Sequence, residues 1–307
     1  MVDTCRAGRL LLPLAGTTTA IPTLRKQLSP GRLAVNAGVV QATNLHRELA
    51  DELWRADTTA VPIAPLTDRY PDLTIEDAYA IQSLNIDRRV AGGERICGRK
   101  IGLTSKPMQN LLGVDEPDYG VLLDGMFVED GDVIDLPKMV QPRVEAEMAF
   151  VMESDLEGPG VNTATALQAI AGVLPAVEIV DSRVADWKIK LVDTVADNAS
   201  SGLIVMGGRL RRVDELDLRL TGVAVTRGGE LIDTGAGAAA LGNPARCVAW
   251  LANKLAGFGA KLRAGDVVLP GAVHKMVAVQ PGDVFRAEFA HLGAVTVRFS
   301  NQTRAAA

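Results

Sequence analysis

The sequence predicts an α+β fold built around one main core. Three observations carry that reading: apolar residues at helical spacing in the front of the chain, short apolar and β-branched runs split by Gly, Pro and Asp turns after residue 120, and the lack of any internal repeat in 307 residues. Leu45, Leu49 and Leu53 recur on one helical face. Thr74-Ile-Glu-Asp77 reads as a capping box that opens a helix over residues 78–91. Residues 96–103 then read as a strand, followed by a polar turn and a short helix over residues 106–112. Further on, Asp130-Gly, Glu157-Gly-Pro, Arg227-Gly-Gly and Pro281-Gly-Asp mark turns, with helices expected over residues 163–172 and 244–258. Residues 141–150 and 174–180 read as strands, because apolar and β-branched residues dominate and Pro marks each start.

The chain therefore divides into a basic extension over residues 1–44, a helical part over 45–110, a β-rich core over 111–300 and a flexible tail over 301–307. The extension holds one acid, Asp3, against Arg6, Arg9, Arg25, Lys26 and Arg32, and reads as disordered or as an overlong start. Its Arg9-Leu-Leu-Leu-Pro-Leu-Ala15 stretch is too short and too interrupted for a signal sequence.

Composition narrows the chemistry. A chain that is 48% hydrophobic and 22% charged with net charge −5 has no electrostatic footprint for nucleic acid. No apolar run reaches the length that spans a bilayer. Cys5, Cys97 and Cys247 are odd in number and far apart, which excludes a disulfide framework and makes a reducing cytoplasmic location the default. With three histidines in all (His46, His274, His291), site chemistry has to run on carboxylates, lysine and hydroxyls.

Three glutamates stand where a soluble chain does not normally put them. Glu145 and Glu147 alternate on one predicted strand, so they share a face about 7 Å apart, while Val144, Ala146, Met148 and Phe150 take the other face into the core. Glu178 lies between Val177 and Ile179 on the second strand. A carboxylate in such surroundings has to find a cation, gain hydrogen bonds or stay protonated. A hard divalent cation satisfies all three at once. Read singly, Glu-x-Glu also describes the wet face of an antiparallel sheet, and Glu178 also suits an ion pair with Arg183 or a lysine.

Other segments carry candidate groups. Strand parity puts Gly98, Lys100 and Gly102 on one face, with two absent side chains clearing space around Lys100; an exposed lysine on an edge strand is the alternative. A tight turn, Asp115-Glu-Pro-Asp-Tyr-Gly120, presents Asp118, and polar groups cluster from Asp193 to Ser201, although turns alone favour such residues. Gly235-Ala-Gly-Ala-Ala-Ala240 has the outline of a dinucleotide fingerprint, but its flanks are β-rich and the acid expected about 20 residues later is missing, so close packing of a turn on a sheet explains it better.

Taken together, Gly98-Arg-Lys-Ile-Gly-Leu-Thr-Ser105, Leu112–Gly120, Gln141-Pro-Arg-Val-Glu-Ala-Glu147, Pro175-Ala-Val-Glu-Ile-Val-Asp-Ser-Arg183, Asp193–Ser200 and Trp250-Leu-Ala-Asn-Lys254 resemble the hydratase/decarboxylase branch of the fumarylacetoacetate hydrolase superfamily, in order, from about Leu45 to Ser300. The resemblance implies a rolled mixed β-sheet with a smaller helical N-terminal part, in homo-oligomers that associate with a pathway decarboxylase or aldolase. It implies Glu145, Glu147 and Glu178 as ligands of Mg²⁺ or Mn²⁺, and Lys100, Asp118 and Ser200 as active-site groups. The implied reaction is hydration of 2-hydroxypenta-2,4-dienoate in aromatic meta-cleavage catabolism. The alternatives are 4-oxalocrotonate decarboxylation or a catalytically weak partner subunit. Because a decarboxylase of that dianionic substrate needs a second cation at the far end of its pocket, and only Lys100 suggests itself while Lys106, Lys188 and Lys190 read as surface residues, the hydratase is preferred.

Overall fold

The computed structural model describes residues 42–303, without the side chains of Leu111 and Leu112; most of the basic extension and the end of the tail lie outside this range. Two long helices, α1 (Asn44–Thr59) and α3 (Ile75–Ala91), are bridged by the short α2 (Leu66–Arg69). Leu49, Ala50, Leu53 and Ala56 form the buried stripe of α1, as helical spacing requires. The Thr74–Asp77 capping box is present: Asp77 N donates to Thr74 Oγ1 at 3.2 Å and Thr74 N to Asp77 Oδ2 at 2.9 Å. Asp77 also accepts from His46 Nε2 at 2.9 Å, and His46 is itself half of a second capping box with Thr43, so one carboxylate caps α3 and ties it to α1. Asp77→Ala should therefore cost about 1–2 kcal/mol and lower Tm by about 2–4 °C; an unchanged melting curve would show these links to be idle.

Strands β1 (Ile96–Gly102), β2 (Asp118–Leu123), β3 (Phe127–Val128), β5 (Pro142–Met152), β6 (Ile170–Asp181), β7 (Ser201–Met206) and β10 (Val267–Leu269) form a mixed sheet in the order β2-β1-β10-β5-β6-β7-β3, with β11 (Val277–Ala278) also paired to β5. A second sheet runs β4-β13-β12-β8-β9, from β4 (Val133–Ile134), β8 (Gly222–Arg227), β9 (Glu230–Ala236), β12 (Val284–Phe289) and β13 (Gly293–Phe299). Strands β12 and β13 pack on β6. The remaining helices are α4 (Lys106–Leu112), α5 (Thr163–Gln168), α6 (Leu191–Ala196) and α7 (Pro244–Ala256), with α6 packed on α3 and α5 on α7. The helix expected over residues 163–172 stops early, because Ile170–Gly172 join β6 opposite β5. The sequence placed β1 with the helical part, yet it lies inside the large sheet, parallel to β10 and antiparallel to β2.

Val144, Ala146, Met148 and Phe150 are all buried, in one cluster with Phe285, Val295 and Val297. Burying each of the larger side chains contributes about 1.5–3 kcal/mol, which fixes the face of β5 that points to the core. The opposite face is the one left for chemistry. Gly235 and Gly237 are packing glycines: an added Cβ would lie 1.8 Å from the carbonyl oxygen of Val273 or of Leu218 respectively.

Candidate metal centre and active site

The register of β5 on β6 sets Glu145 directly opposite Glu178, with Glu147 across from Ala176. Ligand oxygens of Glu145, Glu147 and Glu178 lie within 4.8 Å of one another. Glu147 and Glu178 are fully buried, while Glu145 keeps some solvent contact. Few partners offset this crowding. Gly271 N donates to Glu147 Oε2 at 2.8 Å, Ser201 Oγ donates to Glu178 Oε1 at 3.3 Å, and Lys100 Nζ stands 3.3 Å from the same oxygen. The other Glu178 oxygen is buried without a hydrogen-bond partner.

Electrostatics follow from that geometry. Burial, then the charge of Glu178, pushes Glu145 up to about 7. Burial with the charges of Glu178 and Glu145 holds Glu147 well above the ordinary carboxylate range. Glu178 is also raised, burial outweighing the pull of Lys100. Without a cation, the three carboxylates resist ionising together. Hard oxygens at this separation, one of them unsatisfied, fit a hard divalent cation.

Lys100 is not on an edge strand, and it is buried. The two glycines on its face serve the protein itself: an added Cβ at Gly98 would strike the backbone of Val267 and one at Gly102 the Asp118 carboxylate. Burial opposes the lysine's charge, but Glu178, Asp118, Glu145 and Glu147 outweigh it, so its pKa is raised and it remains a cation. Asp118 is buried on β2, with Oδ1 unpartnered. Burial, then the opposing effects of Lys100 and Glu178, leaves it pushed up to about 6.

Ser200 ends a turn in which Asn198, Ala199 and Ser200 all take left-handed backbone angles, a conformation that non-glycine residues hold only when fixed from outside. The fixings are visible. Asn198 exchanges side-chain hydrogen bonds with Val121 N and O, Lys100 Nζ donates to Ala199 O at 2.9 Å, and Arg183 pairs with Asp197. Arg183 is thus the partner of Asp197, and Lys100 is the partner of Glu178. Ser200 Oγ donates to Asp197 Oδ2 at 3.2 Å, and it is the next residue, Ser201, that reaches a glutamate.

Sequence reading includes Asp197, Asn198 and Ser201 in its polar cluster without giving them roles, and it misses Gly271. Pro270-Gly271 after a strand was the available signal for that glycine: Gly271 has φ +108°, and an added Cβ would fall 2.0 Å from Thr104 Oγ1, so the amide that holds Glu147 requires glycine. His274 is one of the three histidines that the sequence leaves without a catalytic role. It is buried beside the site, but Nε2 accepts from Ala146 N at 2.7 Å, so that nitrogen is committed to the backbone between the two strand glutamates.

The mixed sheet thus gathers three carboxylates from two adjacent strands on one face, a donor set that suits a hard divalent cation. The chain belongs to the fumarylacetoacetate hydrolase family: residues 98–300 match the fumarylacetoacetate (FAA) hydrolase C-terminal family. It is 51% identical over 256 residues to a 2-keto-4-pentenoate hydratase of Paraburkholderia xenovorans (strain LB400), covering 83% of this chain and 95% of that protein. It is 50% identical over 216 residues to a 2-hydroxypent-2,4-dienoate hydratase of Pseudomonas putida, covering 70% and 97%. Among solved structures it resembles 4-oxalocrotonate decarboxylase from Pseudomonas putida G7, complexed with magnesium and adipate, with TM-score 0.82 and 39% identity over 85% of this chain and 99% of that one.

Proposed function

We propose that the protein hydrates 2-hydroxypenta-2,4-dienoate to 4-hydroxy-2-oxopentanoate, with Glu145, Glu147 and Glu178 holding Mg²⁺ or Mn²⁺. The observation that carries the metal assignment is the glutamate trio, two members buried and one half-buried, with ligand oxygens within 4.8 Å. The hydratase assignment rests on the 51% and 50% identities to hydratases over nearly their whole lengths. When bound, the cation supplies Lewis-acid stabilisation of negative charge on the C2 oxygen of the substrate.

The remaining work falls to the chain. Lys100, held charged between Glu178 and Ala199 O, offsets the surplus of carboxylates and favours an anionic substrate. Because its proton is held tightly, Lys100 is a fixed cation rather than a proton donor. Asp118, pushed up to about 6, is the group that exchanges protons near neutral pH: it takes the enol proton and returns it to C5, and, ionised again, takes a proton from the water that adds at C4 and delivers it to C3. Ser200, fixed on its strained turn, orients the substrate. No helix among the described residues is long and apolar enough to cross a membrane. The same reading places the protein in aromatic meta-cleavage catabolism, in the cytoplasm, as a homo-oligomer able to associate with a pathway decarboxylase or aldolase.

The product assay tests this. Mg²⁺-loaded protein should remove the dienoate chromophore and place one solvent oxygen at C4, with little CO₂ released from 4-oxalocrotonate. Faster CO₂ release than hydration would make the enzyme a decarboxylase. The expected surface lysines Lys106, Lys188 and Lys190 are indeed exposed.

A further inference from the structure

A second cation does face the site, and it is Arg143. It lies on β5 with the parity of Glu145 and Glu147, so its side chain leaves the sheet on the glutamates' side, about 7 Å along the strand from Glu145. Its guanidinium sits 4.6 Å from the centre of the Trp187 ring and makes no ion pair among the described residues. The platform beneath it is rigidly built. Trp187 Nε1 donates to Gln141 O at 3.0 Å, Gln141 N donates to Asp181 Oδ1 at 2.7 Å, and Gln141 Nε2 bonds to Ser182 O and Val184 O. Asp186 and Trp187 both hold left-handed backbone angles, an arrangement that a bulky residue adopts only under constraint. An arginine mounted on an indole, half-buried and near Glu145 but in no close ion pair among the described residues, is suited to bidentate capture of an anion.

The charge balance of the site asks for one. Three glutamates and Asp118 against Lys100 and a divalent cation leave an excess of one negative charge before an anionic substrate arrives. We propose that Arg143, stacked on Trp187, is a substrate-binding residue that receives the carboxylate of the 2-hydroxydienoate at the outer rim of the glutamate cluster. This rests on the hydratase reading above.

Steady-state kinetics of Arg143→Gln with the dienoate, and titration of the Mg²⁺-loaded variant with 2-oxopentanoate as an unreactive analogue, test the proposal. Expected are a rise of at least about 10-fold in both KM and the analogue's Kd, with kcat reduced less than KM is raised and a flatter dependence of kcat/KM on salt. Arg143→Lys should recover part of the affinity, because charge returns without the planar fork. Parent-like KM and Kd in Arg143→Gln would overturn the proposal. A fall in Mg²⁺ affinity that accounts for the whole loss would overturn it too, since Arg143 would then act on Glu145. If 2-oxoadipate loses more affinity than 2-oxopentanoate, Arg143 reads the far end of the substrate and the stated contact is wrong. A parent protein that binds 2-oxopentanoate through Arg143 but fails to hydrate the dienoate would refute the hydratase reading and leave this contact standing.

Discussion

Glu147→Gln and Glu178→Gln should each lower kcat/KM by at least about 10³-fold, or roughly 4 kcal/mol of transition-state stabilisation. Each change keeps side-chain volume and removes one anionic oxygen donor from a site whose three carboxylates lie within 4.8 Å. Exhaustive chelation of the parent should abolish turnover reversibly, and full activity in protein shown metal-free by elemental analysis would remove the metal from the mechanism. Stability should move in the opposite direction from activity. In chelated protein the trio is a repulsive cluster, so chelated Glu147→Gln should melt no lower than chelated parent, whereas Mg²⁺ should raise the parent's Tm more than the variant's. The pH dependence of the chelated protein carries the same signature. Glu145 is raised in the folded state from 4.5 to about 7. A raised carboxyl contributes stability that is full below about 4.5 and is lost as pH rises through about 7. Chelated parent should therefore lose stability across that window, and a flat profile would show that the glutamates do not crowd one another.

Asp118→Asn should lower kcat by about 10²–10⁴-fold while leaving Mg²⁺ affinity within about threefold. Asn cannot carry the proton, yet it preserves shape in a position where Gly102 leaves room only for this side chain. Since the free enzyme needs the ionised form to accept the enol proton, the parent's kcat/KM should fall as pH drops through about 6, and that limb should vanish in the variant. Retention of the limb in Asp118→Asn would move the proton-transfer role to another group. Lys100→Met tests the neighbouring cation separately: the fixed-cation role requires that variant to lose binding of 2-oxopentanoate as well as turnover.

Much of the site was legible one strand at a time. Alternation along β5 placed Glu145 and Glu147 together and sent Val144, Ala146, Met148 and Phe150 into the core, because side-chain direction in a strand is set by parity alone. The capping box at Thr74 was equally local. Resemblance to a known family then joined segments that parity could not connect, and the match over residues 98–300 bears it out.

Three things waited for the tertiary structure. The pairing of Glu145 with Glu178 depends on inter-strand register, which a shift of one residue would have inverted. The contact of Lys100 with Glu178 depends on sheet curvature. In the order β1-β10-β5-β6 the two strands are three steps apart, about 14 Å between backbones in a flat sheet, and the curl of the sheet together with the reach of the two side chains brings Lys100 Nζ to 3.3 Å from Glu178. The third is the choice of partners: Arg183 for Asp197, Gly271 for Glu147, Trp187 for Arg143. By itself the sequence determined which residues are chemically out of place and which face of each strand they occupy. Which of them meet was decided by register, curl and loop closure, because those are set by the summed packing of the whole core and leave no mark on any single segment.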